Sequence, residues 1–170
     1  MANVDRPHGF VPYSALLRCR PYASDGAEIQ YINDVMAMAA DGSVNVAAAA
    51  NITKLGSNLA YHAASAATAA SADPVLISDH PDQLYEAQDD AQTTSAQTDF
   101  GNACDHTVTT GSTVTFISKH EIDLSDLGVS VGGFVLLGLV PRIDNALGAN
   151  ADLVCQLNSG EGLLTVAGGI

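Results

Sequence analysis

Residues 132–142, GGFVLLGLVPR, carry the strongest structural signal in the sequence. Gly132-Gly133 ends a loop, and the apolar run from Phe134 to Val140 that follows has the length of a β-strand. This run is well short of the about 20 apolar residues that a membrane-spanning helix needs. The stretch therefore predicts a buried strand in a soluble protein.

Further short apolar segments lie on both sides of this strand, and glycine, proline, aspartate and asparagine separate them. Strands are predicted at 75–77, 83–87 and 151–157, and a hairpin is predicted at 108–117. Many short strands at this spacing are typical of an all-β sandwich or barrel. The sequence thus predicts a mainly β protein with a compact β-sandwich or β-barrel domain.

Two other segments bear on the arrangement of the strands. Asp41-Gly42 separates two apolar segments and predicts a hairpin, because glycine accepts the positive φ angle of a tight turn. Residues 60–72 are of low complexity and rich in alanine, which leaves a loop and a short helix as alternatives.

The first 22 residues differ from the rest of the chain. Three prolines exclude a helix there and disfavour the interior of a sheet. We interpret residues 1–22 as an extended N-terminal arm and 23–170 as a single β domain that folds without it. Several large apolar side chains of the arm need burial, either on this domain or on another chain. These side chains are Phe10, Val11, Tyr13, Leu16 and Leu17.

Charge restricts the partners that the protein can bind. The 170 residues include 6 Lys and Arg but 19 Asp and Glu, so the formal net charge is −13. This field repels phosphate backbones and anionic lipids, so neither nucleic acid nor a membrane is an expected partner. Residues 1–22 hold three arginines and one aspartate, which places the negative charge on the rest of the chain. No secretory signal is expected from the first 30 residues.

Residue types that carry chemistry do not form a recognisable motif. The sequence contains no nucleophile elbow, metalloprotease motif, phosphate-binding loop or dinucleotide-binding fingerprint. The five histidines are scattered and are interpreted as solvated or turn residues, while the three cysteines are interpreted as reduced, mostly buried thiols. The sequence therefore predicts neither an enzyme nor a metal site nor a cofactor.

Four blocks of the sequence, taken together, resemble a known family. They are 2–12 (ANVDRPHGFVP), 79–88 (DHPDQLYEAQ), 137–145 (LGLVPRIDN) and 148–154 (GANADLV). In this order they are similar to blocks of the structural cement, or decoration, proteins that coat the capsids of tailed bacteriophages. The resemblance spans nearly the whole chain.

The resemblance implies a structural virion protein that is made in the bacterial cytoplasm and lies on the outer face of an icosahedral capsid. There it would stabilise contacts between neighbouring major capsid proteins, its expected partners, and it would form a homotrimer. The arm would be the adhesive element, because an extended segment can add to a sheet edge of its partner. The expected capsid-binding residues are Arg6, Phe10, Val11, Tyr13, Leu16 and Leu17.

An alternative function is a carbohydrate- or receptor-binding β-sandwich displayed on the virion. Acidic side chains in residues 79–90 and 144–152 would then hold sugar hydroxyls or calcium. Such a site needs exposed aromatic platforms, and the chain has only five tyrosines, four phenylalanines and no tryptophan.

Overall fold

A computed structural model of the protein describes residues 3–49, 54–64, 74–128 and 132–158. These residues form short strands joined by turns, with one 3-10 turn at Gln97–Asp99. The strands are β1 (Val11–Pro12), β2 (Cys19–Ala23), β3 (Val35–Met38), β4 (Val44–Val46), β5 (Lys54–Asn58), β6 (Pro74–Ser78), β7 (Leu84–Gln88), β8 (Ala103–Thr107), β9 (Glu121–Asp123), β10 (Phe134–Leu139) and β11 (Asp152–Leu157).

The strands form two antiparallel sheets that pack as a sandwich. One sheet has six strands in the order β1-β7-β11-β10-β8-β9, and the other has five in the order β2-β6-β5-β3-β4. The predicted mainly β fold is therefore confirmed as a sandwich. Among the described residues, no helix is long and apolar enough to cross a membrane.

Most predicted strands are present. The structure confirms the strands at β6, β7, β10 and β11, and Asp41-Gly42 lies in the turn between β3 and β4. The predicted hairpin at 108–117 is wrong, because residues 108–116 form no strand and the Phe116 amide donates to the Ser112 carbonyl in a turn. Most of the Ala-rich segment at 60–72 lies outside the described residues.

The main core lies between the sheets and is centred on Phe134. Its ring stacks on Phe10 at a centroid distance of 4.4 Å, and Tyr85 and His106 meet it edge-on at 6.5 and 6.1 Å. Val35 and Ala37 of β3 line the same core from the five-stranded sheet. A second apolar cluster includes Met36 and, because successive strand residues alternate, lies on the opposite face of β3.

A buried ion pair joins the two sheets beside Phe134. Lys54 Nζ of β5 lies 2.5 Å from Asp105 Oδ1 of β8, and the Gly133 amide also donates to this carboxylate. A Cβ atom on Gly133 would come within 2.3 Å of the Lys54 side chain. Gly133 therefore has a packing role as well, because its lack of a side chain leaves the space that the Lys54 side chain occupies.

The N-terminal segment, interpreted from the sequence as an extended arm, contributes edge strands to the sandwich. β1 pairs with β7 at the edge of one sheet, and β2 pairs with β6 at the edge of the other. Pro12 and Pro21 lie in these edge strands, where a residue without an amide donor is tolerated. The prolines thus direct the segment to the sheet edges but do not keep it out of the sheets.

The segment also reaches the core. Phe10 is only 1 % exposed, and its amide donates to the Asn33 carbonyl at 2.9 Å. Gly9 has a φ angle of +71°, and a Cβ atom there would lie 2.5 Å from the Asn33 carbonyl oxygen. Only glycine can make this close approach without strain.

Phe10→Ala should lower the free energy of unfolding by about 3–5 kcal/mol, because it leaves a cavity against Phe134. Leu17→Ala is the matched control in the same segment: Leu17 is 52 % exposed, and its loss should change stability by about 0.5 kcal/mol at most. Urea unfolding followed by circular dichroism measures both. Equal stabilities for the two variants would contradict this packing, as would full stability after deletion of residues 2–20.

Candidate functional site

Parts of all four sequence blocks meet at one place on the six-stranded sheet. There they line an open pocket of about 460 Å³, which we name the junction pocket. Its lining residues are Asn3, Val4, Arg6, His8, Glu86, Gln88, Arg142, Asp144, Asn145, Asn150 and Asp152. Residues from distant parts of the chain therefore form one continuous surface.

Amide side chains hold the N-terminal block against the other blocks. Asn3 Nδ2 donates to the carbonyls of Ala146 and Ala149 at 2.8 and 2.9 Å. Gln88 Nε2 donates to the Val4 carbonyl at 3.0 Å, and Gln88 Oε1 accepts the Arg6 amide at 2.7 Å. These bonds fix the backbone at the rim of the pocket.

Charged side chains cross the floor of the pocket. The Arg142 guanidinium donates to Glu86 of β7 at 2.6 Å and also to Asp152 Oδ2 of β11. Asn145 accepts the Asp152 amide at 3.0 Å and donates back to the Asp152 carbonyl at 2.8 Å. Arginine thus holds two carboxylates in fixed orientations on neighbouring strands.

His8 completes this group and could hold a metal ion together with the carboxylates. Its Nε2 lies 3.7 Å from Glu86 Oε1, and one ligand atom from each of His8, Glu86 and Asp152 lies within 4.8 Å of the others. The sequence prediction of no metal site rested on the scattered histidines, so it did not consider one histidine joined by distant carboxylates. Each of the three residues, His8, Glu86 and Asp152, lies in one of the resembling blocks. Their spacing in the sequence gave no sign that they come together.

The structure separates the expected capsid-binding residues into three groups by their exposure. Leu16 and Leu17 are 47 % and 52 % exposed, and Arg6 is also exposed. Val11 and Tyr13 are half-buried along the sheet edge. Phe10 is buried in this protein's own core, so its assignment as a contact to another protein is corrected.

Two other arginines of the arm, Arg18 and Arg20, form ion pairs with an aspartate of the same chain. Arg18 Nε and Arg20 Nε lie 2.8 and 2.5 Å from the two oxygens of buried Asp79. The Tyr22 hydroxyl donates to the same carboxylate at 2.5 Å. Burial raises the pKa of Asp79, but these hydrogen bonds outweigh it and hold the pKa below its usual value. The pairing anchors β2 to the end of β6 and does not leave these arginines free for a neighbouring subunit.

A second pocket, of about 300 Å³, reaches a buried histidine and aspartate. Burial raises the pKa of Asp34 to about 6 and lowers the pKa of His120 to about 4. His120 Nδ1 accepts the Val35 amide, and its Nε2 lies 3.5 Å from Asp34. Because the lone pair of Nδ1 already accepts the Val35 amide, the neutral ring has no second lone pair to accept a proton from a substrate.

Two histidines lie in environments that differ from the sequence interpretation, whereas the cysteines are mostly buried as expected. His106 and His120 are buried, which corrects the interpretation of solvated or turn histidines. Cys104 and Cys155 are buried free thiols, as expected, but Cys19 is exposed. Burial raises the pKa of Cys104, so this thiol stays protonated and packs as an apolar side chain.

Glu121, at the start of β9, lies near three carboxylates from two other segments. Burial, and after it the charges of Asp5, Asp90 and Asp89, raises the pKa of Glu121 to about 7. The folded protein therefore keeps a proton here that the unfolded chain has already released. This proton favours the folded state at low pH. As the pH rises from about 4.5 to 7 that contribution is lost, so the free energy of unfolding falls.

No protein-family model matches the sequence, and no curated protein matches it either. Inference about function therefore rests on the residues and their arrangement.

Glu121→Gln should stabilise the protein above pH 7, where the native side chain is charged, and should have little effect near pH 4. After allowance for solvent screening, the gain at pH 8 is about 1 kcal/mol, or about 2–4 °C in melting temperature. Thermal unfolding at both pH values measures this difference. Asp126→Asn removes an exposed carboxylate nearby in sequence and should change stability little at either pH. A gain that is equal at both pH values would contradict the role of the Glu121 charge.

Proposed function

We propose that the protein is a structural cement protein of a bacteriophage virion. It binds the outer face of an icosahedral capsid and stabilises contacts between neighbouring major capsid proteins, with no enzymatic role. The observation that carries this proposal is the convergence of all four resembling blocks on the junction pocket. Separate chance similarities would have no reason to meet at one surface, whereas blocks that maintain a shared architecture would.

The adhesive surface in this proposal is the connector at residues 13–18, which links β1 to β2. It passes from the edge of one sheet to the edge of the other and carries Leu16 and Leu17 on its surface. Exposure of two adjacent leucines to water is unfavourable, and their burial in a pocket of a partner would stabilise the complex. Leu17 is held at its backbone, where its amide donates to Gln83 Oε1 at 2.8 Å, so binding needs little further ordering.

The proposal includes an oligomer and a location. A homotrimer at local three-fold positions of the capsid follows from the resemblance, and the protein would be made in the host cytoplasm before it joins the virion. Repeated weak contacts from three subunits add up to firm attachment through effective concentration. Light scattering on the free protein and on capsid-released protein tests the trimer, and a monomer in both would contradict it.

One observation favours the second candidate, carbohydrate or receptor binding. Tyr61 and Phe116 are 37 % and 42 % exposed, and their ring centroids lie 4.5 Å apart. Phe116 also has a φ angle of 59°, an uncommon backbone conformation for an aromatic residue. Aromatic faces of this kind can stack on sugar rings. A glycan array probed with the wild type and with Phe116→Ala tests this candidate, which fails if no glycan binds the wild type.

Replacement of both Leu16 and Leu17 by serine should release the protein from capsids while leaving it folded. The two leucines together contribute about 3 kcal/mol or more when buried, so attachment should weaken about 100-fold. The measurement is co-sedimentation with virions that lack the protein, after wild-type protein has been shown to copurify with virions in a copy number comparable to the major capsid protein.

The matched control replaces two exposed valines elsewhere, Val108 and Val114, by serine. This variant should bind capsids as the wild type does. If both double variants bind equally well, the connector is not the adhesive surface. If the wild-type protein is absent from virions, the proposed function itself is wrong.

A further inference from the structure

We propose that His8, Glu86 and Asp152 form a binding site for a divalent transition-metal ion, for which Zn²⁺ is the natural probe. One potential ligand atom from each residue lies within 4.8 Å of the other two. The three residues come from the N-terminal segment, β7 and β11, and β7 and β11 are hydrogen-bonded neighbours. The site does not depend on the proposed capsid function.

The first observation concerns the contacts of the two ring nitrogens of His8. Its Nδ1 lies 3.0 Å from the Arg6 carbonyl, which can only accept, so this nitrogen carries the hydrogen. The other ring nitrogen, Nε2, is buried and has no hydrogen-bond partner. Metal-binding histidines use the same arrangement, in which the second ring nitrogen donates to a backbone carbonyl.

The second observation concerns what this nitrogen faces. His8 Nε2 lies 3.7 Å from Glu86 Oε1, which is too long for a hydrogen bond. A shared cation would bridge the two atoms. The 3.7 Å spacing is near the about 3.4 Å that separates two ligand atoms around a tetrahedral zinc ion.

The third observation concerns Arg142, which holds the carboxylates without occupying all of their oxygens. It donates to Asp152 Oδ2, while Asp152 Oδ1 is buried and has no hydrogen-bond partner. Arg142 therefore acts as an outer support that orients both carboxylates. Two carboxylates and one guanidinium leave a net negative charge, which favours a cation.

The donor set indicates the class of metal. One imidazole nitrogen with two carboxylate oxygens suits zinc and its first-row neighbours, whereas calcium and magnesium prefer oxygen ligands alone. The junction pocket opens to solvent, so water can supply a fourth ligand. Metal bound here would join the N-terminal segment to β7 and β11, two neighbouring strands of the six-stranded sheet.

The test is equilibrium dialysis of untagged protein against zinc at pH 7.5, with bound metal counted per chain. All proteins carry Cys19→Ser, because the exposed thiol could bind zinc by itself. We expect one zinc per chain and a higher melting temperature with zinc. His8→Ala and Asp152→Asn should each weaken binding about 100-fold or more, since loss of even an outer support costs about 10- to 100-fold.

The matched control is His80→Ala. His80 is another partly exposed histidine, and its Nδ1 lies 4.0 Å from the single carboxylate of Asp82. This variant should bind zinc as the parent does. Circular dichroism verifies that each variant is folded, and Glu86→Gln provides a third test of the site if one of the others is not.

Several results would overturn the proposal. The parent protein could take up no zinc, or binding could survive His8→Ala, or it could be lost equally in His80→Ala. Zinc uptake only after Arg142→Gln would show that the guanidinium is the permanent cation of the pocket. None of these results bears on whether the protein attaches to capsids, so failure here and failure of the proposed function are distinguishable.

Discussion

The contact between Phe10 and Phe134 constrains the rest of the structure. Because Phe10 must enter between the sheets, the residues before and after it have to leave the core in opposite directions. The preceding residues run to the end of β7 and the start of β11, where Asn3, Arg6 and His8 form one wall of the junction pocket. The following residues become the edge strands β1 and β2. A single buried ring thus determines both the pocket and the covering of two sheet edges.

Polar groups inside the sandwich add specificity to this packing. Transfer of a lysine and an aspartate from water to the protein interior costs free energy, and their mutual attraction offsets that cost only when the geometry is good. Lys54 meets this condition, since it also donates to the Ala49 carbonyl at 2.8 Å. A change in the alignment of the two sheets would leave both charges buried without partners, so the pair favours one alignment over its alternatives.

Local signals in the sequence were sufficient for elements whose stability is local. The apolar run of β10 and the turn at Asp41-Gly42 could be identified because nearby residues determine them. β8 could not, since its sequence ACDHT carries Asp105 and His106 in the middle of the strand. Asp105 can be buried because Lys54 donates to it, and His106 because its Nε2 contacts the Ala47 carbonyl. Both partners are distant in the sequence. The burial of Phe10 and the grouping of His8 with Glu86 and Asp152 depend on tertiary contacts in the same way.

The position of Phe10 also affects how the chain reaches its native state. The partners of the N-terminal segment, β6, β7 and Phe134, all follow it at long distances in the sequence. A chain emerging from the ribosome must hold this apolar segment unpaired until most of the protein has been made. Contacts of such high contact order form slowly, and an unpaired apolar segment is open to association with other chains meanwhile. The prolines at positions 7, 12 and 21 reduce that hazard, because they disfavour the extended pairing on which aggregation depends.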